Sequence, residues 1–266
     1  MLDTERPDLA IVCVPPAQAI GMLEPLVERR IPFLTEKPLA ATDAAGPERL
    51  AAAIEAAGLV AGVGYHLRGL DALTEVCKHL RDRPAQLLAA RWLGDTPAPA
   101  WWRSAATGGG QVVEQVTHFY DLARLLLGEA TVVGALAAMD QPAVPKGTDL
   151  ADGTVAILRF DSGAIGTIAN SRLLAAPAAI EFEIVSPGLL ITIRKLPEAQ
   201  TTWQVSLDDG RSVRVIPPGR DPYEVQDEAL LDAVEAGDRS RVLSSYADAL
   251  RTDRLARSVV AAAGRE

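Results

Sequence analysis

The chain has 266 residues, 48% of them hydrophobic and 23% charged, enough for one large domain or two ordinary ones with a packed core. Its formal net charge is −9 and no run of Lys and Arg stands out, which argues against a nucleic-acid partner. No apolar run is long enough to cross a bilayer, and Leu2 to Asp8 is polar, so neither a membrane span nor a secretory signal is expected. The two cysteines, Cys13 and Cys77, lack metal-ligand spacing. They fit a reduced, cytoplasmic protein with no metal site, although one disulfide between them stays open at this stage.

Leu9 to Val14 (LAIVCV) is a short apolar run ended by Pro15-Pro16, the pattern of a strand buried on both faces of a parallel sheet. A helix over 17–30 follows, with Pro25 expected to kink or shorten it. Ile31 to Leu34 is a second strand, ending in Thr35-Glu36-Lys37-Pro38. A helix over 42–57 leads to a third strand over 60–65 (VAGVGY). This β-α-β-α-β alternation predicts a parallel sheet with right-handed crossovers. In such sheets ligands bind beyond the carboxyl ends of the strands. Pro15-Pro16, Glu36-Lys37-Pro38 and Tyr65 to Arg68 meet that description. Lys37 is placed to exchange a proton with a hydroxyl, although a lysine in such a loop more often reaches into solvent.

Further on, a helix over 70–81 and a strand over 86–93 lead to Trp101-Trp102-Arg103. Adjacent tryptophans before a glycine loop suit a sugar cleft, with core packing an equal alternative for one of them. Arg103 suits a substrate hydroxyl or carboxylate as well as it suits a surface ion pair. From 132 to 215 the pattern is a run of strands joined by Asp-Ser-Gly, Pro-Gly and Asp-Asp-Gly turns. It predicts a large, open, mostly antiparallel sheet with helices on one face. Two helices, over 223–235 and 245–263, close the chain.

Gly108 to Gly128 (GGGQVVEQVTHFYDLARLLLG) predicts a glycine loop and then a helix of about four turns closed by Gly128. Val112, Val116, Phe119, Ala123 and Leu126 form a core-facing stripe. Glu114, His118 and Asp121 share the other face. That face has two readings: a solvated surface, or a proton relay in which His118 titrates near neutrality between carboxylates.

PDLAIVCVPP, FLTEKPLA and VGYHLR, followed by GGGQVVEQVTHFYDLARLLLGE, resemble the Gfo/Idh/MocA oxidoreductases over nearly the whole chain. The resemblance implies the second half of a Rossmann-type domain over 1–68. A substrate-binding and oligomerisation domain would then span 69–266, its last helix returning to the first. Lys37 and His118 match the family's proton-handling residues. Glu114 stands where many members have Asp and would position substrate. Val14, Pro15, Pro16, Glu36, Lys37 and Pro38 would lie against the cofactor, NAD or NADP. Arg68, Trp102, Arg103 and Asp121 would meet the substrate. Ala19 stands where relatives often carry a His. The family's first strands and GxGxxG turn have no counterpart in this chain, which predicts an incomplete dinucleotide site.

The function implied is an NAD(P)-dependent dehydrogenase acting on a sugar, polyol or related hydroxyl compound. The implied assembly is a homodimer or homotetramer built through the open sheet. Two alternatives stay open: a cofactor-free sugar-binding or interaction protein, and a hydrolase or lyase, NAD-assisted or not, working in the same cleft.

Overall fold

The computed structural model describes residues 2–139, 148–196 and 202–264. The strands expected over 132–215 therefore run across two stretches, 140–147 and 197–201, that lie outside the described residues. After a short α1 (Leu2–Glu5), the small sheet is built of β1 (Ala10–Val12), β2 (Phe33–Thr35) and β3 (Ala61–Val63), in that order and all parallel. The crossovers are α2 (Ala19–Glu28) and α3 (Ala45–Ala57). The break expected at Pro25 does not occur, and α2 continues to Glu28. The carbonyl deprived of its bond is that of Gly21, which is exposed and can be satisfied by water. The Asp43 carboxylate accepts from the N–H groups of Ala45 and Gly46, which starts α3, and Gly58 ends it at φ 62°.

α4 (Leu73–Asp82) leads to β4 (Leu87–Leu93). Three helices follow: α5 (Ala105–Gly108), α6 (Gly110–Glu114) and α7 (Thr117–Leu127). Then come β5 (Ala130–Ala138), β6 (Gly153–Phe160), β7 (Ile165–Ser171), β8 (Ala179–Ser186), β9 (Leu189–Lys195), β10 (Trp203–Asp208) and β11 (Val213–Ile216). These eight strands form one sheet in the order β11-β10-β9-β8-β4-β7-β6-β5, antiparallel throughout except for the β4–β7 pair. α8 (Pro222–Ala236) and α9 (Tyr246–Ala263) complete the chain. The mixed α/β class, with a small parallel and a large mostly antiparallel sheet, is as the sequence predicts.

Alternation along the strands sorts the large sheet into two faces. Ala156, Leu158, Ile168, Phe182, Ile193 and Val205 point inward and pack against Val112, Val116, Phe119 and Ala123 of α6, α7 and the turn between them. α9 joins the two cores. Leu255, Ala256 and Val259 pack on the large sheet, whereas Tyr246, Ala249 and Leu250 pack on the small one. Just before α9, the Ser244 carbonyl accepts from the Val63 N–H at 3.0 Å. The carboxyl end of β3 is thereby tied to the start of α9.

Candidate active site

The glycine loop is a packing device. Gly109 and Gly110 have φ of 82° and 81°, and a Cβ on Gly109 would lie 2.9 Å from the Ala41 carbonyl oxygen. Only glycine lets the loop lie this close to the segment that follows Lys37. The single helix expected after it is in fact two. The Val116 N–H reaches back five residues to the Gln111 carbonyl (2.9 Å), and the Phe119 N–H then reaches back only three, to Val116 (2.8 Å). A wide turn followed by a tight one rotates Glu114 away from the helical register of His118. Nor is the polar face solvated, for His118 and Asp121 are 5% and 1% exposed.

Glu114 is the hinge of the site. Its Oε1 accepts from Lys37 Nζ at 2.7 Å and its Oε2 from Trp102 Nε1 at 2.8 Å, while its main-chain carbonyl accepts from the same ammonium at 2.8 Å. Both members of the ion pair are largely buried. An ammonium has three N–H donors. Two are used here, and Lys37 lines a cavity of about 360 Å³ that Glu114, Trp102 and His118 also line.

His118 does not titrate near neutrality as the sequence suggested. Burial, reinforced by the charges of His66, Lys37 and Lys195, pushes its pKa well below 6.5. Its Nδ1 is buried without a hydrogen-bond partner. The ring meets His66 edge-on (centroids 4.6 Å apart), and His66 in turn stacks on Tyr223 at 4.3 Å. Burial and the two lysine charges lower His66 to about 3. Tyr223 is pushed up to about 12 by burial and then by Glu36, Asp221 and Glu114. Burial likewise raises Glu36, although Lys37 opposes the shift.

The cavity thus gathers Glu36, Lys37, Trp102, Glu114 and His118 from the expected set, with His66 beside them. It adds Trp92, Gln115, Lys195, Trp203 and Tyr223, which sequence reasoning missed. Trp92 carries a faint signal, near the carboxyl end of a strand. Lys195 and Tyr223 have none, because they arrive from distant parts of the chain. Val14, Pro15, Pro16 and Pro38 belong to the turns after β1 and β2 and do not line this cavity.

Arg68 and Asp121, expected at the substrate, are committed to each other. Arg68 makes a two-pronged bond to Asp121 (2.7 and 2.6 Å) and also donates to Asp248 and to the Leu243 carbonyl. Thr252 donates to Asp121 as well. Burial raises the pKa of Asp121 against the pull of Arg68. These groups are structural because a buried carboxylate needs its partners. Arg103, also expected there, is exposed and outside the cavity. Among the described residues no group of three or more His, Cys, Asp and Glu is placed to hold a metal ion, and no helix is long and apolar enough to cross a membrane.

Residues 77–186 match the model of the GFO/IDH/MocA C-terminal domain. An uncharacterised protein of Schizosaccharomyces pombe is 25% identical over 287 aligned positions, covering 97% of this chain and 70% of its own length. Levoglucosan dehydrogenase of Pseudarthrobacter phenanthrenivorans is 26% identical over 220 positions, covering 70% of this chain and 56% of its own. Among solved structures, aldose-aldose oxidoreductase from Caulobacter crescentus, complexed with glycerol, superposes with a TM-score of 0.85 at 21% identity, covering 99% of this chain and 79% of that one. A levoglucosan dehydrogenase in complex with NADH and levoglucosan does so with a TM-score of 0.82 at 21% identity, covering 97% and 78%. The chain shares its fold with these structures, and spans only part of each relative's length.

Proposed function

We propose, from the match of residues 77–186 to the GFO/IDH/MocA C-terminal domain, that the cleft performs NAD(P)-dependent oxidoreduction of a sugar, polyol or related hydroxyl compound. One observation carries the reading. Lys37, held by Glu114, lines the same cavity as His118, which burial keeps neutral. The relatives named above as dehydrogenase and oxidoreductase, one of them holding NADH and a sugar derivative, support it.

The residues present suit the nicotinamide end of such a cofactor. The turns after β1 and β2 stand beyond the carboxyl ends of a parallel sheet, where nucleotides sit, and Glu36 and Lys37 face the adjoining cavity. No GxGxxG turn occurs in the sequence, so the described residues account for that end of the cofactor and not for its pyrophosphate. When bound, the nicotinamide supplies the hydride acceptor or donor. His118, neutral at pH 7, takes the hydroxyl proton as the carbinol is oxidised and returns it in the reverse direction. The unused N–H of Lys37 points positive charge at the same oxygen and stabilises it as it becomes anionic. Glu114 fixes the ammonium, and the Trp102 indole fixes Glu114. The faces of Trp92 and Trp101, both partly exposed at the cavity, are suited to packing on sugar C–H surfaces. A second copy of the chain covers the outer face of the large sheet in this reading.

The test is titration of the purified chain with NADH and NADPH, beside a Lys37→Ala variant. Saturable binding that the variant weakens by about tenfold or more, worth about 1.4 kcal/mol, is the expected result. No binding up to millimolar cofactor would remove the dehydrogenase reading and favour a cofactor-free sugar-binding protein.

A further inference from the structure

The far side of the same cavity says what kind of substrate it takes. Gln111 and Asn170 are buried amides, 2% and 5% exposed. The Gln111 amide nitrogen donates to the Ser171 main-chain carbonyl at 3.1 Å, and its oxygen accepts from Asn170 Nδ2 at 2.8 Å. A main-chain carbonyl can only accept, so the orientation of Gln111 is fixed. Its second N–H lies 3.0 Å from Gln115 Oε1. Only the oxygen of Gln115 can receive it, so the Gln115 NH₂ is turned the other way. Gln115 lines the cavity, and its NH₂ has no hydrogen-bond acceptor among the described residues.

Lys195 lines the same cavity, with Trp203 directly opposite it on β10. It is half-buried, and burial lowers its proton affinity. No carboxylate among the described residues pairs with it. Lys37 is already neutralised by Glu114, and Glu36 lies over Gly64 at the end of β3, beside Lys37 and Glu114. A partly desolvated ammonium is costly, and the cost is lifted by an anionic ligand.

We propose that the substrate carries a carboxylate seated between the Lys195 ammonium and the Gln115 amide, so that the cleft takes a sugar acid in preference to a neutral sugar or polyol. Among the described residues no guanidinium lines the cavity. One ammonium and one amide match the two oxygens of a carboxylate better than the three of a phosphate. The inference rests on the proposed oxidoreductase reading for the placement of the reacting carbon, and on nothing but the cavity for the anion.

The experiment is calorimetric titration of the full chain with D-gluconate, D-glucuronate, D-glucitol, D-glucose and D-glucose 6-phosphate. It is repeated on Lys195→Met and Gln115→Glu, with NADH titrated separately. Lys195→Met keeps the apolar stem, and Gln115→Glu keeps the shape while adding a repelling charge. The expected result is that an acid binds at least about tenfold tighter than its neutral counterpart. That preference should fall to near unity in Lys195→Met and invert in Gln115→Glu. Equal affinity for acids and neutral compounds, tighter binding of the phosphate, no binding of any probe, or a preference that survives in both variants would overturn it. Acid preference without NADH binding would sustain this inference while removing the oxidoreductase reading.

Discussion

His66 and His118 are the residues whose protonation the fold resists most plainly. The unfolded chain takes up these two protons as pH falls through about 6.5. The folded chain takes up the His66 proton only at about 3, and that of His118 at a pH well below 6.5. Below about 6.5 the unfolded state therefore binds more protons. Stability is complete above that pH and declines as it drops, by up to about 1.4 kcal/mol per pH unit for each imidazole. Glu36, Asp121 and Asp253, whose proton affinity burial raises, act in the opposite sense. The comparison that counts is therefore between wild type and variant. Urea melts at pH 7 and pH 5 should show a smaller loss for a His66→Gln, His118→Gln double variant than for the wild type. Equal losses would mean that these rings are not held neutral. Glu114 offers a second check. Glu114→Ala leaves the Trp102 N–H without its acceptor and strips Lys37 of its carboxylate. A loss of about 1–3 kcal/mol is expected, with Glu114→Gln retaining part of it because one acceptor remains. Denaturant melts read both.

At the scale of elements, the junction of α6 and α7 shows what a sequence conceals. The strand–helix alternation of the small sheet, the turns of the large one and both closing helices are legible, because periodicity and turn residues are local signals. Lys37, Glu114 and His118 are legible because motif and spacing mark them. The wide turn at Gln115–Val116 is not. Nothing in QVVEQVTHF forbids a continuous helix, and the break answers to tertiary demands: Gln111 bonds to Ser171 and Asn170 on β7 while Glu114 meets Lys37. Asp121 likewise sits where a polar helix face would meet water, but α9 covers it and makes it part of a buried charge network. Arg68, Asp121 and Asp248 are joined by Arg124, which bonds to Asp248 and to Thr252. The network ties the turn after β3 to α7 and α9. Asp121→Ala should cost about 3–5 kcal/mol, because it strands a buried guanidinium and a hydroxyl. In thermal terms that is a fall of roughly 6–20 °C for a chain of this size. A variant melting within about 2 °C of the wild type would show that Asp248 and water suffice for Arg68.

For the whole molecule, the feature that calls for a partner is the second face of the large sheet. Residues directly opposite in register share a face. On β5 and β6, Leu136 stands opposite Val155, and on β7, β4 and β8, Ile165, Leu87 and Val185 stand in one row. All are exposed, as are Val133 and Ile157, with Leu136 79% accessible. Scattered apolar residues on a surface need no explanation, but contiguous rows of β-branched and leucine side chains across five strands do. The charges on this face cluster toward one side of it: Arg91 pairs with Glu181 on the neighbouring strand, with Arg194 in the same row and Glu183 in the next, while Arg159 lies opposite Ile165. A two-fold contact between copies pairs one such apolar face with itself. Burying half of each such side chain contributes on the order of 1 kcal/mol, so a row of them on each copy outweighs the entropy of association. Sedimentation of the chain at micromolar concentration should give twice or four times the 28.2 kDa monomer. A Leu136→Asp, Ile157→Asp variant should sediment as the monomer. Its thermal midpoint should become independent of protein concentration while that of the wild type rises with concentration. Both positions are solvent-facing in one copy, so the variant keeps the core that α6, α7 and α9 make with the inner face. A wild-type chain that is monomeric at all concentrations, or a variant that stays assembled, would assign this face to something other than a second copy.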